Sequence, residues 1–288
     1  FRDDESFNKE QYQSMLNALI DDGVHGIIAL GTVGENCSLS AVEKLQVLAA
    51  AKEAVAGRVP LLSGVAETTT PEACRFVKNA EDIGIDGFML LPGMVYRSQT
   101  NETLYHFRTV AAATSLPIMI YNNPVTYGID ITPDMLASLE DCENLVAIKE
   151  STEDTRRITQ LSSRFGDRFT LFCGVDDIAL ESMLLGAQGG VSGLTNVFPK
   201  ESVALYELAQ AGKLEQAREL YRWFMPLLQL DTIPTLVQCI KLAEQVMGRG
   251  NEKTRAPRLS LVEPERSRVI SLVETSAAQR PDLEKFLS

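Results

Sequence analysis

The chain has 288 residues, 45% of them hydrophobic, which is enough to bury one large core of the size an α/β barrel needs. Its 39 acidic residues outnumber 27 basic ones, a formal net charge of −12. That balance argues against a phosphate-backbone partner, because such binding rests on clustered Lys and Arg. No apolar run reaches the roughly 18 residues of a membrane span, so no membrane partner is expected. The five cysteines (Cys37, Cys74, Cys142, Cys173, Cys239) are odd in number, scattered and never spaced as CxxC. They suit a reducing cytoplasm and argue against a disulfide framework or a zinc site. No signal-peptide pattern is present at the start, and cytoplasmic localisation is the expectation.

In chain order, the acidic opening Phe1–Glu5 reads as the loop leaving a strand, and a helix is predicted from about Asn8 to Asp21. Seven short apolar, β-rich runs follow: Gly26–Leu30, Leu61–Val65, Gly87–Pro92, Pro117–Asn122, Leu145–Lys149, Phe169–Gly174 and Gly190–Gly193. Their starts recur at about the length of one βα unit. Between them, Ala41–Val55 and Pro71–Ile83 carry apolar residues at helical spacing. Ser40 followed by Glu43 reads as a capping box. Thr70-Pro71 and Thr132-Pro133 each read as a cap residue before a proline at the first helical position.

Continuous apolar strands alternating with helices mean a parallel sheet covered by helices, closed as a (β/α)8 TIM barrel or open and doubly wound. No GxGxxG follows the first run, which weakens the dinucleotide-binding alternative. A closed barrel needs eight strands, so its first strand is expected at or upstream of Phe1. From Pro199 to about Met247 three helices are predicted, with a break near Asp231–Pro234, and the tail from Arg255 to Ser288 holds further helical stretches. The expected organisation is residues 1–198 as barrel strands two to eight. Residues 199–288 form a C-terminal helical extension packed on the barrel, with no linker-like stretch between the two.

In a barrel the active site lies at the carboxyl ends of the strands, and several of these ends carry unusual residues. Gly31-Thr32-Val33-Gly34-Glu35 offers backbone N–H groups to an anion, although a plain βα turn would read the same way. Tyr121-Asn122-Asn123-Pro124 places a tyrosine at the mouth, as a proton carrier or as a packed aromatic. Lys149 closes an otherwise apolar strand before Glu150-Ser151. Burial lowers an ammonium pKa, as a Schiff-base amine requires, while the alternative is a salt bridge to a neighbouring carboxylate. Cys173-Gly174-Val175-Asp176-Asp177 is rich in carboxylates that read as caps for the next helix. The run Gly189–Gly193 is nearly stripped of side chains, which suits a substrate lying against backbone near Ser192 and Gly193. The two histidines, His25 and His106, fall away from the mouth, which disfavours Ser-His-Asp, Cys-His and metal-dependent schemes. A lysine and a tyrosine without histidine point to covalent imine chemistry, for which no metal and no external cofactor is implied.

Taken together and in order, Gly31–Glu35, Tyr121–Pro124, Ile148–Ser151, Gly174–Asp176, Gly190–Ser192 and Arg255-Ala256-Pro257 resemble the dihydrodipicolinate synthase and N-acetylneuraminate lyase family. The resemblance covers nearly the whole chain. It implies a (β/α)8 barrel with a C-terminal helical region, a class I lyase acting on a small 2-oxo acid, and a homotetramer or homodimer. It makes Lys149 the Schiff-base lysine, Tyr121 the proton shuttle and Thr32 the first hydroxyl of the carboxylate-binding loop. Val33 stands where the family usually has a second Thr, leaving its backbone N–H to serve. Met94 replaces a relay tyrosine, and Thr126 replaces the arginine that holds a second substrate's carboxylate. These departures argue against a true dihydrodipicolinate synthase. They favour a dehydratase or deaminase similar to those acting on 1-pyrroline-4-hydroxy-2-carboxylate in hydroxyproline breakdown. The alternatives are a pyruvate-releasing retro-aldolase of the sialate or keto-deoxy sugar acid type, the synthase itself, or a non-catalytic ligand-binding barrel. Specificity is expected from Met94, Tyr96, Thr126, Tyr127 and Ser192.

Overall fold

A computed structural model describes residues 1–93 and 96–287. Helix α1 (Lys9–Asp21) is capped by the Asn8 side chain and leads to strand β1 (Ile27–Ala29). There follow α2 (Ala41–Val55), β2 (Leu61–Val65), α3 (Thr70–Glu81), β3 (Gly87–Leu90), α4 (Thr100–Ala111) and β4 (Ile118–Asn122). Next come α5 (Pro124–Tyr127), α6 (Pro133–Ala137), β5 (Leu145–Glu150), α7 (Arg156–Phe165), β6 (Thr170–Cys173), α8 (Ala179–Leu184) and β7 (Gly189–Gly190). The seven strands form one all-parallel sheet in sequential order β1 to β7, curled with the helices outside it. This is an α/β, TIM-barrel-like architecture. Every residue of β3 and β4 is buried, so these strands read as continuous apolar runs and not as alternating ones.

Two layers of apolar side chains result. One lies between strands and helices and includes Phe88, Phe107, Ile118, Ile120, Leu145 and Ile148. The other fills the inside of the curl with Met89, Leu91, Met119, Tyr121 and Ala147. Strand β5 supplies both layers in an unusual way. Leu145 pairs with Ile118, but Met119 pairs with Ala147, so Val146 is an extra residue. Plain alternation would send Leu145 and Ala147 to the same face. The bulge at Val146 lets Leu145 face the helices while Ala147, and after it Lys149, face inward.

Beyond β7, α9 (Pro199–Gln210), α10 (Leu214–Leu228), α11 (Leu236–Val246), α12 (Glu265–Ala278) and α13 (Glu284–Leu287) complete the chain. Helices α9 to α12 bury Leu205, Phe224, Ile240 and Val269 together with Leu180 of α8 and Leu194. The break expected near Asp231–Pro234 is a single 3-10 turn, Gln229–Asp231, before α11. Three details differ from the sequence expectations. Thr69, not Thr70, caps α3 by accepting from the Glu72 N–H at 3.3 Å, and Thr70 Oγ1 instead meets His106 Nδ1 at 3.0 Å. The last strand stops at Gly190, leaving Ser192 and Gly193 in the loop after it. A short helix, α5, follows Pro124 where none is expected.

Candidate active site

Strands β4 and β5 end side by side, with Tyr121 and Lys149 as register partners. Lys149 Nζ stands 4.1 Å from the centroid of the Tyr121 ring. The ring's negative face attracts an ammonium and constrains the chain to one place. Among the described residues no carboxylate lies within ion-pair distance of Lys149, so the salt-bridge alternative for this lysine is not what the fold holds. Gly174 follows β6 directly behind it. A Cβ there would stand 2.1 Å from Ser151 Oγ and 2.7 Å from both Lys149 Cγ and Cε. Only glycine leaves room for the lysine stem.

A network behind the two strand ends holds them in register. Asn122 Nδ2 donates to Glu150 Oε2 and Asp130 Oδ1, each at 3.1 Å, and its Oδ1 accepts from the Ile131 N–H at 2.8 Å. Glu150 also accepts from the Thr152 N–H at 2.8 Å, and Arg157 grips both oxygens of Asp130. Burial pushes the Glu150 carboxyl above the usual carboxylate range.

Three hydroxyls, of Tyr121, Tyr127 and Thr32, gather at the mouth. Tyr121, 4% exposed, accepts a hydrogen bond from Asn123 Nδ2 at 3.0 Å. Its ring meets that of Tyr127 edge-on at 5.6 Å. Tyr127 Oη in turn lies 2.9 Å from Thr32 Oγ1. Burial, more than the neighbouring Tyr121, drives the Tyr127 phenol well above its ordinary pKa, so it stays protonated. Sequence reasoning names Tyr127 only as a loop residue; its helix α5, started by Pro124 and capped by Asn123, is what turns it inward.

The loop carrying Thr32 is anchored from behind. Glu35, left-handed at φ 50° and buried, accepts from Lys241 Nζ at 2.6 Å and from the Arg255 N–H at 3.1 Å. Asn36 Nδ2 reaches the Leu30 carbonyl at 3.1 Å. The Arg-Ala-Pro motif near the chain's end thus serves this loop from a distance of more than 200 residues.

Thr32, Val33, Thr126, Lys149, Ser192 and Gly193 line one cavity of about 1010 Å³. The fold therefore gathers these sequence-predicted residues, while Met94 lies outside the described ones. Thr126 is exposed at the rim, its N–H donating to Asn123 Oδ1 at 2.9 Å. Arg97 packs against Gly128 just beyond this turn. Asp176 does not cap α8, as the sequence suggests, because its Oδ2 accepts from Ser192 Oγ at 2.8 Å and the Leu194 N–H at 3.0 Å. It ties the loop after β7 to the end of β6. Both histidines stand apart from the mouth. His106 is buried in α4, and His25 precedes β1, its ring against Tyr206. Among the described residues, no group of three or more His, Cys, Asp or Glu is placed to hold a metal ion, and no helix is long and apolar enough to cross a membrane.

The model of the dihydrodipicolinate synthetase family matches residues 1–276. A 4-hydroxy-tetrahydrodipicolinate synthase of Geotalea uraniireducens is 31% identical over 271 residues, covering 93% of this chain and 92% of the relative. The crystal structure of the chloride-inhibited dihydrodipicolinate synthase from Acinetobacter baumannii, complexed with pyruvate, superposes with a TM-score of 0.92 at 27% identity. It covers 96% of this chain and 95% of that one. A prophage protein of the dihydrodipicolinic acid synthase family from E. coli K12, also in complex with pyruvate, gives 0.91 at 27% identity, covering 96% and 95%. With the parallel curled sheet and this gathering of residues, the chain belongs to the dihydrodipicolinate synthetase family, as a Schiff-base lyase.

Proposed function

We propose that Lys149 forms an imine with a small 2-oxo acid, or with a cyclic imino acid, bound in this cavity. The observation that carries the reading is the pairing of Lys149 with Tyr121 across β4 and β5, Nζ 4.1 Å from the ring, at the open end of the sheet. In this reading Thr32 Oγ1 and the Val33 N–H hold the substrate carboxylate. Lys149 attacks carbon 2, and Tyr121 takes and returns the protons of carbinolamine collapse and of the neighbouring carbon. Tyr127, its ring against Tyr121 and its hydroxyl on Thr32 Oγ1, adds a second phenol beside the proton carrier from the same chain. The iminium serves as the electron sink when a bond at the neighbouring carbons breaks.

To the step after imine formation we assign elimination of water or ammonia, as from 1-pyrroline-4-hydroxy-2-carboxylate. Support comes from Thr126, a neutral residue at the rim, which offers no bidentate partner to a second carboxylate. A second reading, condensation with an aldehyde acid, has its support in the names of the relatives. Ser192, Gly193 and Thr126 line the part of the cavity where the rest of the substrate would lie. The enzyme would work in the cytoplasm as a homo-oligomer.

A substrate panel decides between these readings. Release of ammonia or water from the pyrroline carboxylate supports elimination. Pyruvate released from sialate or keto-deoxy sugar acids would replace it with retro-aldol cleavage. Consumption of pyruvate only with aspartate semialdehyde would favour the synthase, and pyruvate binding without turnover of any of these would favour a non-catalytic barrel.

A further inference from the structure

We infer that Asp176 and Asp231 form a carboxyl pair holding one shared proton and one negative charge, and that this charge is the standing counter-ion of the imine at Lys149. The inference rests on the Schiff-base reading above and adds two residues to it.

Two distant turns create the pair. Asp176 begins the 3-10 turn Asp176–Ile178 after β6, and Asp231 ends the turn Gln229–Asp231 after α10. The two turns pack together, and both carboxyls meet the same loop segment, Asp176 Oδ2 at Ser192 and Leu194 and Asp231 Oδ1 at Gly193 between them. Two negative charges brought together in a shielded site repel, which favours one of the two carboxyls keeping its proton. Asp176 is 3% exposed and spends Oδ2 on Ser192 and Leu194. Asp231 Oδ1 is shielded from solvent and has no hydrogen-bond partner. It presses against Gly193, where a Cβ would lie 2.1 Å from it, so the glycine is what admits the second carboxyl.

The pair and Lys149 line the same cavity. The groups facing the pair are Lys149 from β5, Asp177 from the same turn, and the Ser192 hydroxyl with the Gly193 and Leu194 amides from the loop after β7. Lys149 is the one basic side chain among them. Burial pushes Asp176 up to about 6 and Asp231 well above the carboxylate range, which fits a pair that keeps one proton at neutral pH.

A fixed charge matters because of what imine formation does. The Lys149 amine forms the C–N bond and gives one proton to the carbonyl oxygen. That oxygen takes a second proton, drawn from solvent and delivered by Tyr121, and leaves as water. In the protonated iminium so formed, the former amine nitrogen carries the positive charge, and losing its N–H proton would weaken the electron sink. One negative charge nearby in a poorly screened cavity favours that state.

The test uses the full chain, pyruvate as the probe, and borohydride trapping at increasing pyruvate. Asp176→Asn and Asp231→Asn each replace the shared proton with an amide N–H and leave one carboxylate, so the charge is kept. The double variant removes it. The half-trapping pyruvate concentration is expected to stay within about threefold of wild type in each single variant and to rise about tenfold or more in the double one. Trapping by a folded double variant as in wild type would overturn the inference, as would a folded single variant impaired as much as the double. Circular dichroism and thermal melting establish folding. Should the double variant not fold, the single ones still decide, since loss of trapping in either refutes a shared charge. No trapping by the wild type would instead refute the Schiff-base reading itself.

Discussion

Lys149 and Tyr121 meet because β5 carries one residue more than β4. The bulge at Val146 shifts pairing from Ile118–Leu145 to Met119–Ala147, and from there Tyr121 falls opposite Lys149. Both side chains then face the inside of the curl, and Nζ comes within 4.1 Å of the ring centroid.

Tyr121→Phe keeps the ring under Lys149 and removes the proton-carrying hydroxyl. At equilibrium the extent of imine trapping with pyruvate is expected to persist within a few-fold, though it is reached more slowly, while kcat on the true substrate falls about a hundredfold or more. Unchanged kcat and trapping rate in the folded variant would mean that Tyr121 packs against the lysine and carries no proton.

Tyr127→Phe keeps the ring against Tyr121 and removes the hydroxyl that meets Thr32. A drop in kcat of about tenfold is expected with KM little changed, because the carboxylate-binding Thr32 remains. A rise in KM alone would make Tyr127 a binding residue only.

Gly174→Ala places a methyl group against Ser151 Oγ and the Lys149 stem. The lysine must move, so activity is expected to fall about a hundredfold. Melting experiments should show a loss of about 1–3 kcal/mol from overpacking. Full activity with an unchanged melting temperature would show that the stem has room which the fold does not display.

Stability should also depend on pH through the buried pair. Asp176 rises from 3.8 to about 6 on folding, chiefly by burial. A carboxyl whose folded pKa is raised binds its proton more tightly when folded, so its contribution is fully present below about 4. That contribution is lost as pH climbs towards 6, at up to about 1.4 kcal/mol per pH unit. Glu150, also raised by burial, slopes the same way, so the difference from the Asp176→Asn, Asp231→Asn double variant isolates the pair. Denaturant midpoints between pH 4 and 7 are expected to fall less steeply in the double variant. Parallel curves would contradict a shared proton.

Apolar runs alternating with helix signals make the parallel α/β order readable, since both faces of β3 and β4 are buried and leave an unbroken apolar pattern. Lys149 and Tyr121 stand out because polar groups that close apolar strands are conspicuous. Val146 does not, since one more β-branched residue in an apolar strand carries no sign of a bulge. Asp176 passes for a helix cap in the sequence because its partners, Ser192 and Leu194, lie on the next strand's loop. Asp231 is invisible as a site residue, being an ordinary acid at a helix break until the turn it ends packs on Asp176. Tyr127 hides in the same way, its direction set by the short helix after Pro124.

The most direct measurement is borohydride reduction in the presence of pyruvate, with the adduct located by peptide mass spectrometry. One reduced pyruvyl adduct on the peptide bearing Lys149, absent from Lys149→Ala together with turnover, is the expected result. An adduct on another lysine, or full activity in Lys149→Ala, would contradict the assignment.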